Sequence, residues 1–82
     1  MSWSNIDSWM DAVNSVRGRF LSLVSRHVPE ALPKYRRWIR HVLDDRNSRE
    51  SRILMAYSVL REYHLFEFYE HKLRERLRGE LS

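Results

Sequence analysis

Residues 49–78, RESRILMAYSVLREYHLFEFYEHKLRERLR, decide the fold of this chain. The stretch contains neither Pro nor Gly, and no helix breaker follows until Gly79, so it predicts one helix, helix 3, about 45 Å long. On a helical wheel its apolar side chains fall on two nearly opposite faces. The first face carries Ile53, Tyr57, Leu60, His64 and Phe68, and the second carries Met55, Val59, Tyr63 and Phe66.

A first helix is predicted near the start of the chain. Apolar residues recur at helical spacing from Ile6 to Val28 and indicate helix 1 over about residues 5–27. Ser4 is the expected N-cap, because its hydroxyl can accept from the free amides of the first turn. Pro29 follows the other end, where its ring disfavours further helix.

A shorter helix is predicted between these two. Helix 2 is expected over about residues 31–45, followed by a polar turn in which Asn47 or Ser48 caps helix 3 over about residues 49–78. Together the three helices predict an all-α fold, a three-helix chain with a long C-terminal helix. Residues 1–82 are expected to form one helical domain.

The two apolar faces of helix 3 predict a homodimer. Helices 1 and 2 can cover only one of these faces, and a second copy related by a two-fold axis is the economical cover for the other. The dimer interface is expected to contain Met55, Val59, Tyr63 and Phe66, so the protein would pack as a homodimeric helical bundle. Alternatively, helix 3 bends near His64 and wraps both faces around its own bundle.

The composition favours a small binding protein with an anionic partner. Fifteen Lys plus Arg against eleven Asp plus Glu give the 82-residue chain a net charge of +4 and a pI near 10.0. All but two of these cations are Arg, whose forked guanidinium suits phosphate and carboxylate. Ten Ser, three Ala and two Gly, with no Thr or Gln, suggest a viral or phage accessory protein, although a GC-rich genome would also enrich Arg.

Helix 2 carries the candidate binding site. Lys34, Arg37, Arg40 and His41 lie on the arc opposite its apolar residues and form a cationic stripe. A row of Arg on successive turns can follow a phosphate backbone, so the stripe predicts backbone-directed binding of double-stranded nucleic acid, with RNA slightly ahead of DNA. The chain has no motif for reading base edges.

Two other interpretations of the stripe stay open. It can be the solvated face of a surface helix, with Asp44 and Asp45 diluting its positive potential. It can also belong to a protein-protein interaction module, an adaptor or inhibitor in which Trp38, Arg37 and Arg40 engage an acidic surface of a host or regulatory protein.

One cation falls where apolar residues are expected. Arg17 lies within the apolar stripe of helix 1, and an unpaired buried guanidinium is strongly destabilising. We therefore expect Arg17 to be buried in an ion pair with Glu62 or Glu67.

No catalytic, cofactor or metal site is predicted. The chain lacks Cys, a nucleophile elbow and a phosphate-cradling Gly loop, so it is not expected to be an enzyme. His64, Glu67 and His71 have a spacing that a metal ion could use, but no fourth ligand is identifiable and a packed or interfacial histidine is favoured. The longest apolar run, residues 53–57, is too short to span a membrane, and no signal peptide is evident, so a soluble intracellular protein is expected.

Overall fold

A computed structural model of the chain describes residues 5–81 and contains three packed helices. They are α1 (Ile6–His27), α2 (Leu32–Leu43) and α3 (Arg49–Leu81), with a 3₁₀ turn (Pro29–Ala31) between the first two. Each helix packs on the other two, and no strand is present in the described part of the chain. The all-α prediction is thus confirmed.

The helix ends are set by local hydrogen bonds. Asn5 caps α1, since its side-chain oxygen accepts from the amides of Asp7 and Ser8 at 3.1 and 3.3 Å. The predicted cap, Ser4, lies outside the described residues. At the far end, the Val28 amide donates to the Val24 carbonyl at 2.7 Å before the 3₁₀ turn begins.

In the turn between α2 and α3, the two residues predicted as alternative N-caps of α3 have different roles. The Ser48 hydroxyl accepts from the Ser51 amide at 3.2 Å and caps α3. Asn47 instead donates through its side chain to the His41 carbonyl at 3.1 Å, tying the turn to the end of α2. Asp44 is already extended, so α2 ends at Leu43, two residues earlier than predicted.

The core lies between α1, α2 and one face of α3. Phe20 is its centre, with its ring centroid 4.9 Å from that of Tyr35 and 5.8 Å from that of Phe66. The Tyr35 hydroxyl donates to Glu62 at 2.8 Å. Burial is the main reason that the pKa of Tyr35 is raised to about 12, and this hydrogen bond is the second. The largest fully buried side chains are Phe20, Leu23, Val13, Val24, Val42 and Val59. Trp9 is buried in the same core.

The face of α3 assigned to the dimer packs inside the chain. Val59 is fully buried and Tyr63 is 9% exposed, while Met55 and Phe66 are half-buried against the same core. Side chains already enclosed by α1 and α2 cannot meet a second copy, so this assignment of the two faces was wrong. The other predicted face is only partly exposed, since Tyr57 and Phe68 are exposed while Ile53 and Leu60 pack partly buried against the core. Leu54 and Leu65, which neither predicted face included, are also exposed.

The buried arginine is also a different residue from the predicted one. Arg17 is exposed, and its expected partners are engaged elsewhere: Glu67 pairs with Arg19 at 3.3 Å, and Glu62 accepts from Tyr35. Arg52 is the buried guanidinium, and its Nε donates to the Val42 carbonyl at 2.8 Å. That carbonyl lies in the last turn of α2, where helical carbonyls lack partners of their own, so Arg52 joins the end of α2 to α3.

Candidate nucleic-acid interface on helix α2

Helix α2 exposes one face because its apolar residues recur at helical spacing. Tyr35, Ile39 and Val42 are buried against α1 and α3. Residues on the opposite arc therefore project away from the core. We call the exposed cations of this arc the cationic face: Lys34, Arg36, Arg37 and Arg40.

The cationic face concentrates the charge of the chain. Helix α2 contains these four cations and no carboxylate, so its charge equals the net charge of +4 of all 82 residues. Within residues 5–81, none of the four forms an ion pair with a carboxylate. Positive charge that the chain does not neutralise is available to an anionic ligand.

Two cations of this region were not predicted to belong to the site: Arg36, which is part of the cationic face, and Arg17 on α1, which lies beside it. An open groove of about 430 Å³ runs between α1 and α2 beside Gly18. Its apolar lining consists of Leu21, Ile39 and Leu43, and its cationic lining consists of Arg17, Arg36 and Arg40. The absence of carboxylates from α2 was the sequence signal that could have included Arg36. No signal placed Arg17 here, because its wheel position lies in the apolar stripe of α1.

His41 lies at the C-terminal edge of the face and is engaged within the chain. Its Nδ1 accepts from the Asn47 side-chain amide at 3.2 Å, and its Nε2 then donates to the Ser51 hydroxyl at 2.7 Å. His41 therefore joins α2 to α3, and the charge of the face is carried by the Lys and Arg side chains.

Asp44 lowers the positive potential less than its position suggests. Arg46 donates to its two carboxylate oxygens at 3.0 and 2.8 Å. These hydrogen bonds lower the pKa of Asp44 to about 2, so the carboxylate stays ionised and paired at neutral pH. Asp44 lines a shallow depression of about 250 Å³ together with Arg37 and Arg40.

Trp38 is half-buried beside the face. Its ring packs edge-on against Tyr35, with centroids 5.1 Å apart, and the Lys34 ammonium lies 5.5 Å from its ring centroid. The Tyr35 ring and the Lys34 ammonium therefore cover part of the Trp38 side chain, and the rest of it stays accessible beside the face.

The spacing of the cations along α2 suits contact with a row of anionic groups. Exposed Arg side chains on successive turns of one helix stand about 5.4 Å apart along its axis, so several of them can contact one phosphate backbone. No cluster of three His, Asp or Glu side chains in the described ranges could hold a metal ion. Of His64, Glu67 and His71, two are engaged in other pairs: Glu67 with Arg19, and His71 with Glu75 at 2.9 Å.

Between residues 5 and 81, no helix combines the length and the apolar character needed to cross a bilayer. Comparison with known proteins finds no match to a family model, to a curated protein or to a solved structure.

Proposed function

We propose that this chain is a non-enzymatic binding protein that holds the phosphate backbone of double-stranded nucleic acid on the cationic face of α2. The observation that carries the proposal is the concentration of four exposed, unneutralised cations on one face of a helix that contains no carboxylate. Guanidinium groups donate to phosphate oxygens in a forked geometry, and each contact releases condensed counterions.

The proposal concerns backbone contacts rather than base reading. The cations are long, flexible and exposed, and the phosphate contacts that such side chains make carry no sequence information. Affinity should therefore depend on salt and duplex geometry, with little dependence on sequence. We place RNA slightly ahead of DNA as the ligand, since proteins bind RNA duplexes largely through shape and backbone.

The predicted homodimer is not required by this function. The cationic face belongs to one chain, and a second copy would add a symmetric face without changing the first. The surface of α3 that such a copy could use is exposed and lies on another helix.

The test is a fluorescence-anisotropy titration of a labelled RNA duplex of about 20 base pairs at several salt concentrations. Submicromolar binding is expected near physiological salt, with affinity falling steeply as salt rises. The double variant Arg37→Ala, Arg40→Ala should weaken binding equally for unrelated sequences and reduce the log-log salt slope by about 2.

A matched control is available on α3. The double variant Arg76→Ala, Arg78→Ala removes the same charge from exposed positions outside the face and should leave the slope nearly unchanged. Equal losses in both double variants would mean that net charge alone drives binding, which contradicts the proposal. Feeble binding at physiological salt, or a larger loss from Trp38→Ala than from the Arg variants, would instead favour an acidic protein partner.

A further inference from the structure

The outer face of α3 carries a continuous apolar stripe that the chain leaves exposed. Leu54 is 69% exposed and Phe68 is 61% exposed, both far above what large apolar side chains show in a core. We call this face the outer stripe: Leu54, Tyr57, Arg61, His64, Leu65 and Phe68. Its members are three or four residues apart except for the adjacent His64 and Leu65, so the stripe follows α3 for about four turns, or about 21 Å.

The stripe is a groove rather than a scatter of single side chains. A shallow apolar depression of about 500 Å³ runs along it, with Leu60 at its inner edge, and is lined by Tyr57, Leu65 and Phe68. Arg61 is the only Lys or Arg side chain in this lining. A helix laid along such a groove could seat apolar residues at spacings of three and four.

Arg61 lacks an anion although carboxylates are close in sequence. Glu62 accepts from Tyr35 on α2, and Glu67 pairs with Arg19 on α1, so both are held on the core side of α3. Arg61 is exposed and forms no ion pair with the described residues. The centre of the apolar stripe therefore carries an uncompensated positive charge.

This charge argues against a second copy as the occupant. A two-fold interface brings the centre of a surface against the centre of the same surface on its mate. Arg61 lies midway between Leu54 and Phe68, so a symmetric pairing of stripes would desolvate two guanidinium groups side by side. Like charges brought together without an anion are destabilising, and a carboxylate on a different chain removes the conflict.

We propose that the outer stripe docks an amphipathic helix of another protein, with apolar residues facing Leu65 and Phe68 and a carboxylate facing Arg61. This interaction goes beyond nucleic-acid binding and uses none of the residues of the cationic face. Helix α3 is 33 residues long, so it extends beyond both ends of the outer stripe. A partner helix could therefore lie along the whole stripe, which spans about four turns.

The probe is a displayed library of randomised peptides on an amphipathic helical template about five turns long, selected against the full chain. Enriched peptides should combine apolar residues at helical spacing with Asp or Glu. A synthetic copy of the leading peptide is then titrated against the wild-type chain and its variants. Phe68→Ser and Arg61→Glu should each weaken binding at least about tenfold, whereas Arg61→Lys should keep most of it.

Two controls separate this site from the cationic face. Arg76→Glu makes the same charge change elsewhere on exposed α3, and Arg37→Ala with Arg40→Ala alters α2; neither should change peptide affinity more than about twofold. Replacing the peptide carboxylate by Lys should restore binding to Arg61→Glu. Phe68→Ser should leave duplex binding and the thermal unfolding midpoint unchanged, so failure here is distinguishable from failure of the nucleic-acid proposal.

Three outcomes would overturn the proposal. The first is selection that yields no peptide sensitive to Phe68→Ser. The second is a dimer in light scattering that Phe68→Ser dissociates, which would make a second copy the occupant. The third is flotation with anionic vesicles that the same substitution abolishes, which would make a lipid surface the occupant.

Discussion

The inner and outer faces of α3 differ in what covers them, although large apolar side chains line both. On the inner face Ala56, Val59 and Tyr63 are buried by α1 and α2, while on the outer face Leu54 and Phe68 are mostly exposed. The two faces differ more clearly in whether their polar groups have partners than in their apolar side chains. The polar groups on the inner face have partners within the chain, whereas Arg61 on the outer stripe has no carboxylate among the described residues.

The largest expected effect comes from placing a charge at the centre of the inner face. Val59 has no exposed surface, so Val59→Asp buries an unpaired carboxylate and should destabilise the fold by about 4 kcal/mol or more. For a domain of this size that is most of the stability, and the variant should be largely unfolded. Urea denaturation followed by far-UV circular dichroism measures the change.

The matched substitution on the outer face is Leu54→Asp. Because Leu54 is 69% exposed, its free energy of unfolding should change by no more than about 0.5 kcal/mol. If Val59→Asp stayed folded while Leu54→Asp unfolded, the two faces would have to be exchanged.

Spacing along the chain was sufficient to predict three helices and the two-sided character of α3. It was not sufficient to decide which face forms the core. A helical wheel places Val59 and Tyr57 on different faces, but the neighbours of each face depend on how α1 and α2 pack in three dimensions. For the same reason the buried arginine was misassigned to Arg17 instead of Arg52. Arg17 lies within the apolar stripe of α1, but there it lines the open groove between α1 and α2.

The candidate site was predictable to the extent that it depends on one helix. Lys34, Arg37 and Arg40 were placed on the exposed arc because the apolar residues of α2 mark the opposite arc, and the structure places all three there. The contribution of Arg17 depends on the pairing of two helices. The hydrogen bonds that occupy His41 depend on the conformation of the following turn, so neither could be read from spacing.

A second pair of substitutions compares the cations of the two faces. Arg52→Ala removes the donor to the Val42 carbonyl and leaves that group buried at the end of α2, so the free energy of unfolding should fall by about 2 kcal/mol. Arg61→Ala removes an exposed side chain with no carboxylate partner in residues 5–81 and should change it by less than about 0.5 kcal/mol. Comparable losses in both variants would show that Arg61 has a structural role and weaken its assignment to a partner.

The smallest effect should appear as a difference in pH dependence between two carboxylates of α3. Glu70 is buried, accepts from His27 and from Arg26 at 2.5 Å, and forms an ion pair with Arg74 at 3.2 Å, whereas Glu75 is exposed. The hydrogen bond from His27 is the main reason that the pKa of Glu70 lies below its usual value of 4.5. A lowered folded-state pKa means stability that is present above the unfolded pKa and is lost as pH falls through the folded one.

Thermal unfolding of the wild type and Glu70→Gln should therefore differ most near about pH 6 and converge toward about pH 3, because the amide cannot ionise. Glu75→Gln should follow the wild type throughout, since its partners His71 and Lys72 are themselves exposed. A constant offset between wild type and Glu70→Gln across this range would mean that Glu70 acts through packing alone. In that case ionic partners would no longer distinguish the inner face from the outer one, and the unpaired Arg61 would lose its significance as a sign of a docking surface.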